Sequence, residues 1–193
     1  MLTPDQRPLI LASASPRRQE LLRQAGITIE VHPAHIPEEQ RQGETPLDYA
    51  LRLARQKAKT VALRFPGRFV LGADTIVVVA DEVLGKPRDR DDATRMLRLL
   101  SGRGHSVTTA VSLISASGQK TTRASTTNVF FRELAEEEIQ QYIATGEPMD
   151  KAGAYAIQGG AGPWAIRMEG EHSNVVGLPL TLVSEMLRAS GFK

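Results

Sequence analysis

Stretches typical of strands and of helices follow one another along this sequence, which predicts an α/β protein. A strand-like run at 8–13 leads through a turn into a helix over 16–25. A long amphipathic helix is predicted over 46–65, and a long β-type run follows at 69–80. With 193 residues, of which 41% are hydrophobic, the chain is expected to fold as one domain spanning 1–193, or as two closely packed lobes.

The first elements have local start and stop signals. Ser15 is placed to cap the helix that begins at Pro16, and a glycine directly after this helix ends it. Residues 27–32 alternate between apolar and polar, as in a second strand. The polar segment 33–44 contains proline and glycine, so it is predicted to be an exposed loop.

The long helix and the β-type run after it are the clearest elements. Thr45 supplies an N-cap and Pro46 a first-turn proline for the helix, and its apolar residues recur at helical spacing. The run 69–80 is apolar on both faces, which indicates a central strand. One acidic residue, Asp74, interrupts that strand.

The remaining elements follow from changes in hydrophobic period and from turn residues. They are a helix over 90–101, a hairpin of strands over 105–115 and 120–132, a helix over 135–145, a strand over 164–168 and a helix over 179–190. The glycine-rich segment 146–162 is predicted to be a mobile or ligand-shaped loop.

The composition disfavours several classes of protein. The chain has no cysteine, which excludes disulfides, thiolate nucleophiles and Cys-type zinc sites and fits a reducing cytoplasm. A formal charge of +2 and an aromatic content of 5% disfavour a nucleic-acid binder. No apolar run approaches a membrane span, and the run before Ser13 is too short for a signal peptide. We therefore expect a cytoplasmic protein without membrane or nucleic-acid partners.

Two arginines occupy the first turn of the first predicted helix, after Ser13 and Ser15. Arg17 and Arg18 oppose the helix dipole there, whereas the free backbone N–H groups of a helix N-terminus can hold an anion. A bound polyphosphate would turn this unfavourable placement into a binding site. The alternative is that both arginines point outward and pair with Glu20 or with solvent.

Asp74 is the second signal for chemistry. A carboxylate buried within an apolar strand costs several kcal/mol unless it has a partner. A metal ion, a lysine or an activated water would each serve, and a carboxylate with a perturbed pKa can act as a general base. The alternative is an Asp at a strand end that faces solvent.

Further residues complete an inventory suited to phosphoryl chemistry. Lys57 borders the apolar stripe of the long helix, and Lys86 follows a glycine that would let the backbone approach a ligand. Glu38 and Asp74 offer hard oxygen ligands suitable for Mg²⁺ or Mn²⁺. Gln158, in the glycine-rich segment, could read the edge of a base; the alternative there is a solvated loop with a core tyrosine.

Several short motifs occur together and in a fixed order. They are Leu11–Arg18 with 20–22, Ala73–Thr75, Gly85–Pro87, Met96–Leu97 through 101–102, Asp150–Tyr155 with 158–159, and Asn174–Pro179. In this order the motifs, which run from about residue 9 to 187, resemble the Maf family of nucleotide pyrophosphatases.

The resemblance implies a fold and a reaction. The fold is an α/β fold with a mixed central sheet flanked by helices and a cleft between two lobes, similar to the inosine triphosphatase group and often a homodimer. The reaction is metal-dependent cleavage of a nucleoside triphosphate between its α- and β-phosphates. The motif at 150–159 is similar to that of the subgroup acting on dTTP and UTP rather than on 7-methyl-GTP. Two alternatives stay open. The protein is a 7-methyl-GTP pyrophosphatase, or it is a non-catalytic nucleotide-binding regulator of septum formation and cell division.

The resemblance also implies residue roles. Asp74 is the proton acceptor, and Glu38, or Glu39 beside it, is a metal ligand together with Asp74. The remaining matched positions bind substrate. Lys57 and Lys86 contact phosphate, while Arg17, Thr75 and Gln158 set substrate specificity.

Overall fold

A computed structural model, which describes residues 7–192, shows a mixed α/β protein. In chain order its strands and helices are β1 (Leu9–Leu11), α1 (Pro16–Gln24), β2 (Ile29–Val31), α2 (Pro46–Ala62), β3 (Val70–Val79), β4 (Glu82–Leu84), α3 (Arg90–Leu100), β5 (Gly104–Ile114), β6 (Lys120–Phe131), α4 (Glu136–Ala144), β7 (Ala165–Glu169), α5 (His172–Val176) and α6 (Leu180–Ala189). Three short 3₁₀ helices, at Glu147–Asp150, Ala152–Ala154 and Gly162–Trp164, lie between α4 and β7.

The strands form one mixed sheet. Their order is β2-β1-β3-β5-β6-β7, and β4 pairs with β3. Strand β1 is parallel to both of its neighbours, with Ile10 opposite Glu30 on β2 and Val70 on β3. The β3–β4 and β6–β7 pairs are antiparallel. The predicted α/β class with a mixed sheet is therefore confirmed.

The chain divides into two compact units. Of the described residues, the first comprises 7–74, Thr109–Ser125 and 177–192, and the second comprises Thr75–Thr108 and Thr126–Val176. None of the helices within residues 7–192 has the length and apolar composition that a membrane crossing requires.

The first unit has its core between β1, β3 and α2. All three residues of β1 are fully buried, as are Ala54 and Ala58 on α2. Gly72 of β3 faces this helix so closely that a Cβ atom there would lie 2.5 Å from the Ala54 carbonyl oxygen and 2.6 Å from the Ala58 nitrogen. The missing side chain therefore lets strand and helix backbones meet.

The second unit has an aromatic-rich core. Phe131, Tyr155 and Trp164 pack there with aliphatic residues of β3, β4 and α3. His105 of β5 is also buried, and its Nε2 lies 2.9 Å from the Tyr155 hydroxyl oxygen. Tyr155 is thus a core tyrosine, one of the alternatives that the sequence left open.

Several predicted boundaries move. Helix α2 ends at Ala62 rather than at 65, and the first strand shortens to Leu9–Leu11. The segment 146–162 folds partly into the short 3₁₀ helices instead of forming only an open loop. The five-residue helix α5 was not predicted at all, because one turn and a half carries little periodic signal.

Candidate functional site

Asp74 is positioned by the close approach of β3 to α2. Alternate residues of a strand share a face, so Asp74 points to the same side as Gly72, toward the helix. Its exposed fraction is only 6%. The alternative of a strand-end aspartate facing solvent is therefore wrong.

Lys57 of α2 meets Asp74 beneath the surface. Its Nζ donates to Asp74 Oδ1 at 2.7 Å, and Glu38 Oε1 lies 2.7 Å from the same Nζ. Lys57 is only 8% exposed, as expected from its place at the border of the apolar stripe. One ammonium group thus joins two carboxylates, one buried on a strand and one carried by the loop before α2.

The electrostatics of this cluster are set first by burial. Burial raises the pKa of Asp74 above its ordinary value, while the nearby ammonium of Lys57 and guanidinium of Arg18 oppose that rise. Burial outweighs both cations. A carboxylate with a raised pKa binds a proton more readily than an exposed aspartate, which is the property needed by a general base.

Glu38 belongs to the loop between β2 and α2, and 48% of its side chain is exposed. The Tyr49 hydroxyl donates to its backbone carbonyl at 2.6 Å. Arg52 Nη2 donates to the carbonyl of the following residue, Glu39, at 2.9 Å. Of the two neighbouring acids, it is Glu38 whose carboxylate contacts Lys57.

The start of α1 excludes the alternative of an outward-facing side chain for Arg18. Ser15 caps the helix as predicted, but Arg18 is buried rather than turned outward toward Glu20 or solvent. Its Nη1 donates to Ser13 Oγ at 3.1 Å and to the Ala73 carbonyl at 2.9 Å, and its Nε donates to the Gly177 carbonyl at 2.8 Å.

Arg18 therefore ties three parts of the first unit together beside Asp74. Burial lowers the pKa of this guanidinium, and the charge of Asp74 acts in the opposite sense. Its neighbour Arg17 is half-buried in the first turn of the same helix. The sequence did not separate the roles of these two arginines, since two of the three acceptors of Arg18 are backbone carbonyls, which leave no sequence signal.

The other predicted substrate residues lie in the second unit. Thr75 is half-buried on β3, directly after Asp74. Lys86 and Gln158 are exposed. Gly85, before Lys86, accepts a backbone hydrogen bond of 3.0 Å from Gly153, so the segment after β4 is tied to the glycine-rich segment.

The predicted metal ligands can be compared with what a divalent ion requires. Glu38 and Asp74 already converge on one cationic group, the Lys57 ammonium. Within residues 7–192 no cluster of three or more His, Cys, Asp or Glu side chains is arranged to hold a metal ion. Mg²⁺ is commonly held by one or two carboxylates together with substrate phosphates and water, so this donor set fits such an ion.

Comparisons with known proteins identify the family of the chain. A family model described as Maf-like protein matches residues 8–190. A dTTP/UTP pyrophosphatase of Koribacter versatilis is 54% identical over 183 residues, covering 95% of this chain and 94% of the relative. Another protein of that name, from Geobacter metallireducens, is 52% identical and covers 97% and 98% of the two chains.

One solved structure supports the fold. The Ham1 protein of Staphylococcus aureus superimposes with a TM-score of 0.52, covering 95% of this chain and 99% of that one. At 12% sequence identity this similarity concerns the fold alone.

Proposed function

The chain belongs to the Maf family, and from that premise we propose that it hydrolyses dTTP and UTP to the monophosphate and pyrophosphate, clearing such nucleotides from the pool. One observation carries the proposal: a buried acid, Asp74, shares the Lys57 ammonium with a second carboxylate. Relatives more than half identical over nearly the whole chain bear the name of this activity.

Asp74 acts as the general base in this proposal. It takes a proton from a water molecule whose oxygen forms a bond to the α-phosphorus. The bond from that phosphorus to the oxygen bridging to the β-phosphate breaks, and pyrophosphate leaves. The raised pKa of Asp74, caused by its burial, brings the carboxylate closer to the pH at which it must accept the proton.

The remaining residues bind and neutralise the substrate. Arg17, Lys57 and Lys86 balance the charge of the triphosphate, and Ser13, just before α1, also binds the substrate. Electrostatic stabilisation supplies most of the acceleration. A divalent cation, Mg²⁺ or Mn²⁺, held by Glu38 and Asp74 would polarise the bond under attack. Thr75 and Gln158, with Arg17, select the pyrimidine base.

The location and assembly of the protein are part of the same proposal. An enzyme that acts on free nucleotides is expected in the cytoplasm and, by its family, as a homodimer. Light scattering coupled to size-exclusion chromatography would measure the mass in solution. A mass equal to one chain at micromolar concentration would contradict the dimer.

The experiment that tests the reaction is a substrate panel. Pyrophosphate release and the nucleotide product are followed for dTTP, UTP, CTP, GTP and 7-methyl-GTP, each with Mg²⁺ or Mn²⁺. We expect dTMP and UMP to form fastest. An Asp74→Asn protein purified in the same way is the control that assigns the turnover to this chain and not to a contaminant.

Other outcomes would change the assignment. Turnover confined to 7-methyl-GTP would overturn the pyrimidine specificity while leaving the reaction class. Binding of nucleotide without any turnover would overturn the reaction and favour a regulatory protein.

A further inference from the structure

Of the three residues Asp74, Lys57 and Glu38, only Glu38 lies outside the strands and helices. It lies in a segment without regular structure between β2 and α2, and about half of its side chain is exposed. A glutamate in such a place loses backbone and side-chain freedom when it is held in one position. Some other contact must therefore fix the loop if its carboxylate is to stay at Lys57.

Two side chains of α2 contact the loop backbone at this point. The Tyr49 hydroxyl donates to the Glu38 carbonyl at 2.6 Å, and Arg52 Nη2 donates to the Glu39 carbonyl at 2.9 Å. Tyr49 and Arg52 are three residues apart, so they lie on one face of the helix.

Arg52 also fastens the end of the loop. Its Nε and Nη2 contact the two carboxylate oxygens of Glu44 at 2.6 and 2.7 Å, in the two-pronged geometry that gives arginine pairs their specificity. The Glu44 carboxylate in addition accepts from the backbone N–H of Arg41 at 3.1 Å. The Arg52 fork lowers the pKa of Glu44 to about 2, so the pair stays ionised at physiological pH.

We propose that Tyr49 and the Arg52–Glu44 pair are positioning residues that fix the backbone at Glu38 and Glu39 and thereby present the Glu38 carboxylate to Lys57 and Asp74. Helix α2 then supplies both the ammonium group of the cluster and the contacts that bring the second acid to it. The consequence for turnover rests on the proposed function. The consequence for the loop does not, so the two can be tested apart.

The first test measures the loop directly. Amide hydrogen exchange is compared between wild type, Tyr49→Phe and Arg52→Gln, at the Arg41 and Glu44 amides, both of which donate hydrogen bonds within the loop. Loss of one hydrogen bond is expected to speed exchange about fivefold in Tyr49→Phe, and loss of the fork more than that in Arg52→Gln. Unchanged exchange in both variants would overturn the proposal.

Two matched controls exclude a general loss of stability. Tyr142→Phe removes another tyrosine hydroxyl, which accepts from the Ala156 N–H at 2.9 Å in the second unit. Arg132→Gln breaks another two-pronged pair, with Glu138, whose contacts measure 2.6 and 2.9 Å. Neither control should change exchange in the loop, and acceleration there equal to that of the test variants would count against the proposal.

The second test asks whether Tyr49 acts through Glu38. Tyr49→Phe is expected to lower kcat/KM about tenfold, and to lower it no further when Glu38 is already changed to Gln. A purely structural role would give effects that multiply in the double variant, and this outcome would overturn the positioning role. Arg52→Lys, which keeps the charge but not the fork, should recover less than half of the loss in Arg52→Gln. If wild type turns over no nucleotide, the proposed function fails and the exchange measurements still decide the positioning.

Discussion

Replacing Lys57 by methionine removes the ammonium group while nearly keeping the volume of the side chain. Asp74 then remains buried without its closest cation, since the Nζ–Oδ1 contact of 2.7 Å is lost. Both side chains of this pair are about one-tenth exposed, so water compensates little. Breaking one partner of a buried ion pair typically costs about 3–5 kcal/mol, and we expect the free energy of unfolding at pH 7 to fall by that amount.

Urea unfolding of matched variants would measure this loss. Lys59→Met changes an exposed lysine of the same helix, so it controls for the altered charge and helix propensity. The double variant Lys57→Met with Asp74→Asn should recover part of the loss, because no charge is then left buried alone. Recovery is incomplete because the new amide has no ammonium partner.

The pH dependence gives the prediction a second, independent readout. Without Lys57, the pKa of Asp74 rises further above its ordinary value of 3.8, because the ammonium that lowered it is gone. An acid whose pKa is raised in the folded state contributes stability below its unfolded pKa and loses it as the pH rises through the folded pKa. The loss of unfolding free energy in Lys57→Met should therefore become smaller as the pH is lowered from 7 to 4. A deficit equal to that of Lys59→Met, or one that grows on acidification, would refute the buried pair.

Three further predictions concern residues of the same unit. Asp74→Asn should lower turnover at least about 100-fold in the pyrophosphate-release assay while circular dichroism shows a folded chain; retention of most turnover would remove the base role. Gly72→Ala should cost about 1–3 kcal/mol in urea unfolding, because its new Cβ would lie 2.5 Å from the Ala54 carbonyl oxygen; a neutral effect would contradict that packing. Arg18→Met should unfold at a lower urea concentration than Arg17→Met, because Arg18 donates to three buried acceptors. Arg17→Met should mainly raise KM. Unfolding of Arg17→Met at the lower urea concentration would refute these roles.

The elements predicted best are those with local signals. Thr45 caps α2 and accepts from the Asp48 N–H, as its position before Pro46 indicated. The predicted hairpin strands over 105–115 and 120–132 differ from the observed β5 and β6 by one residue at the shifted ends. In both cases the cap residue or the hydrophobic period that indicates the element lies within or directly beside it in the sequence.

The features that were missed depend on distant partners. Arg18 is separated by 159 residues from Gly177, whose carbonyl it binds, so neither residue alone indicates the contact. The same holds for Arg52, whose contact with the Glu39 carbonyl appears only in the folded chain. For Asp74 the sequence showed that a buried acid needs a partner, but a metal, a lysine and a water fitted equally well, and the fold supplies Lys57.

The raised pKa of Asp74 supports the role in chemistry that we propose for this residue. Two nearby cations lower the pKa, yet burial raises it more, so the ionised form is disfavoured in the folded chain. Because the folded state binds this proton more tightly than the unfolded chain does, ionisation of Asp74 at neutral pH lowers the free energy of unfolding. Gly72 packs against α2 two residues before Asp74 on the same strand, so the acid lies at a close strand–helix contact. Such a cost is typical of residues retained for their reactivity.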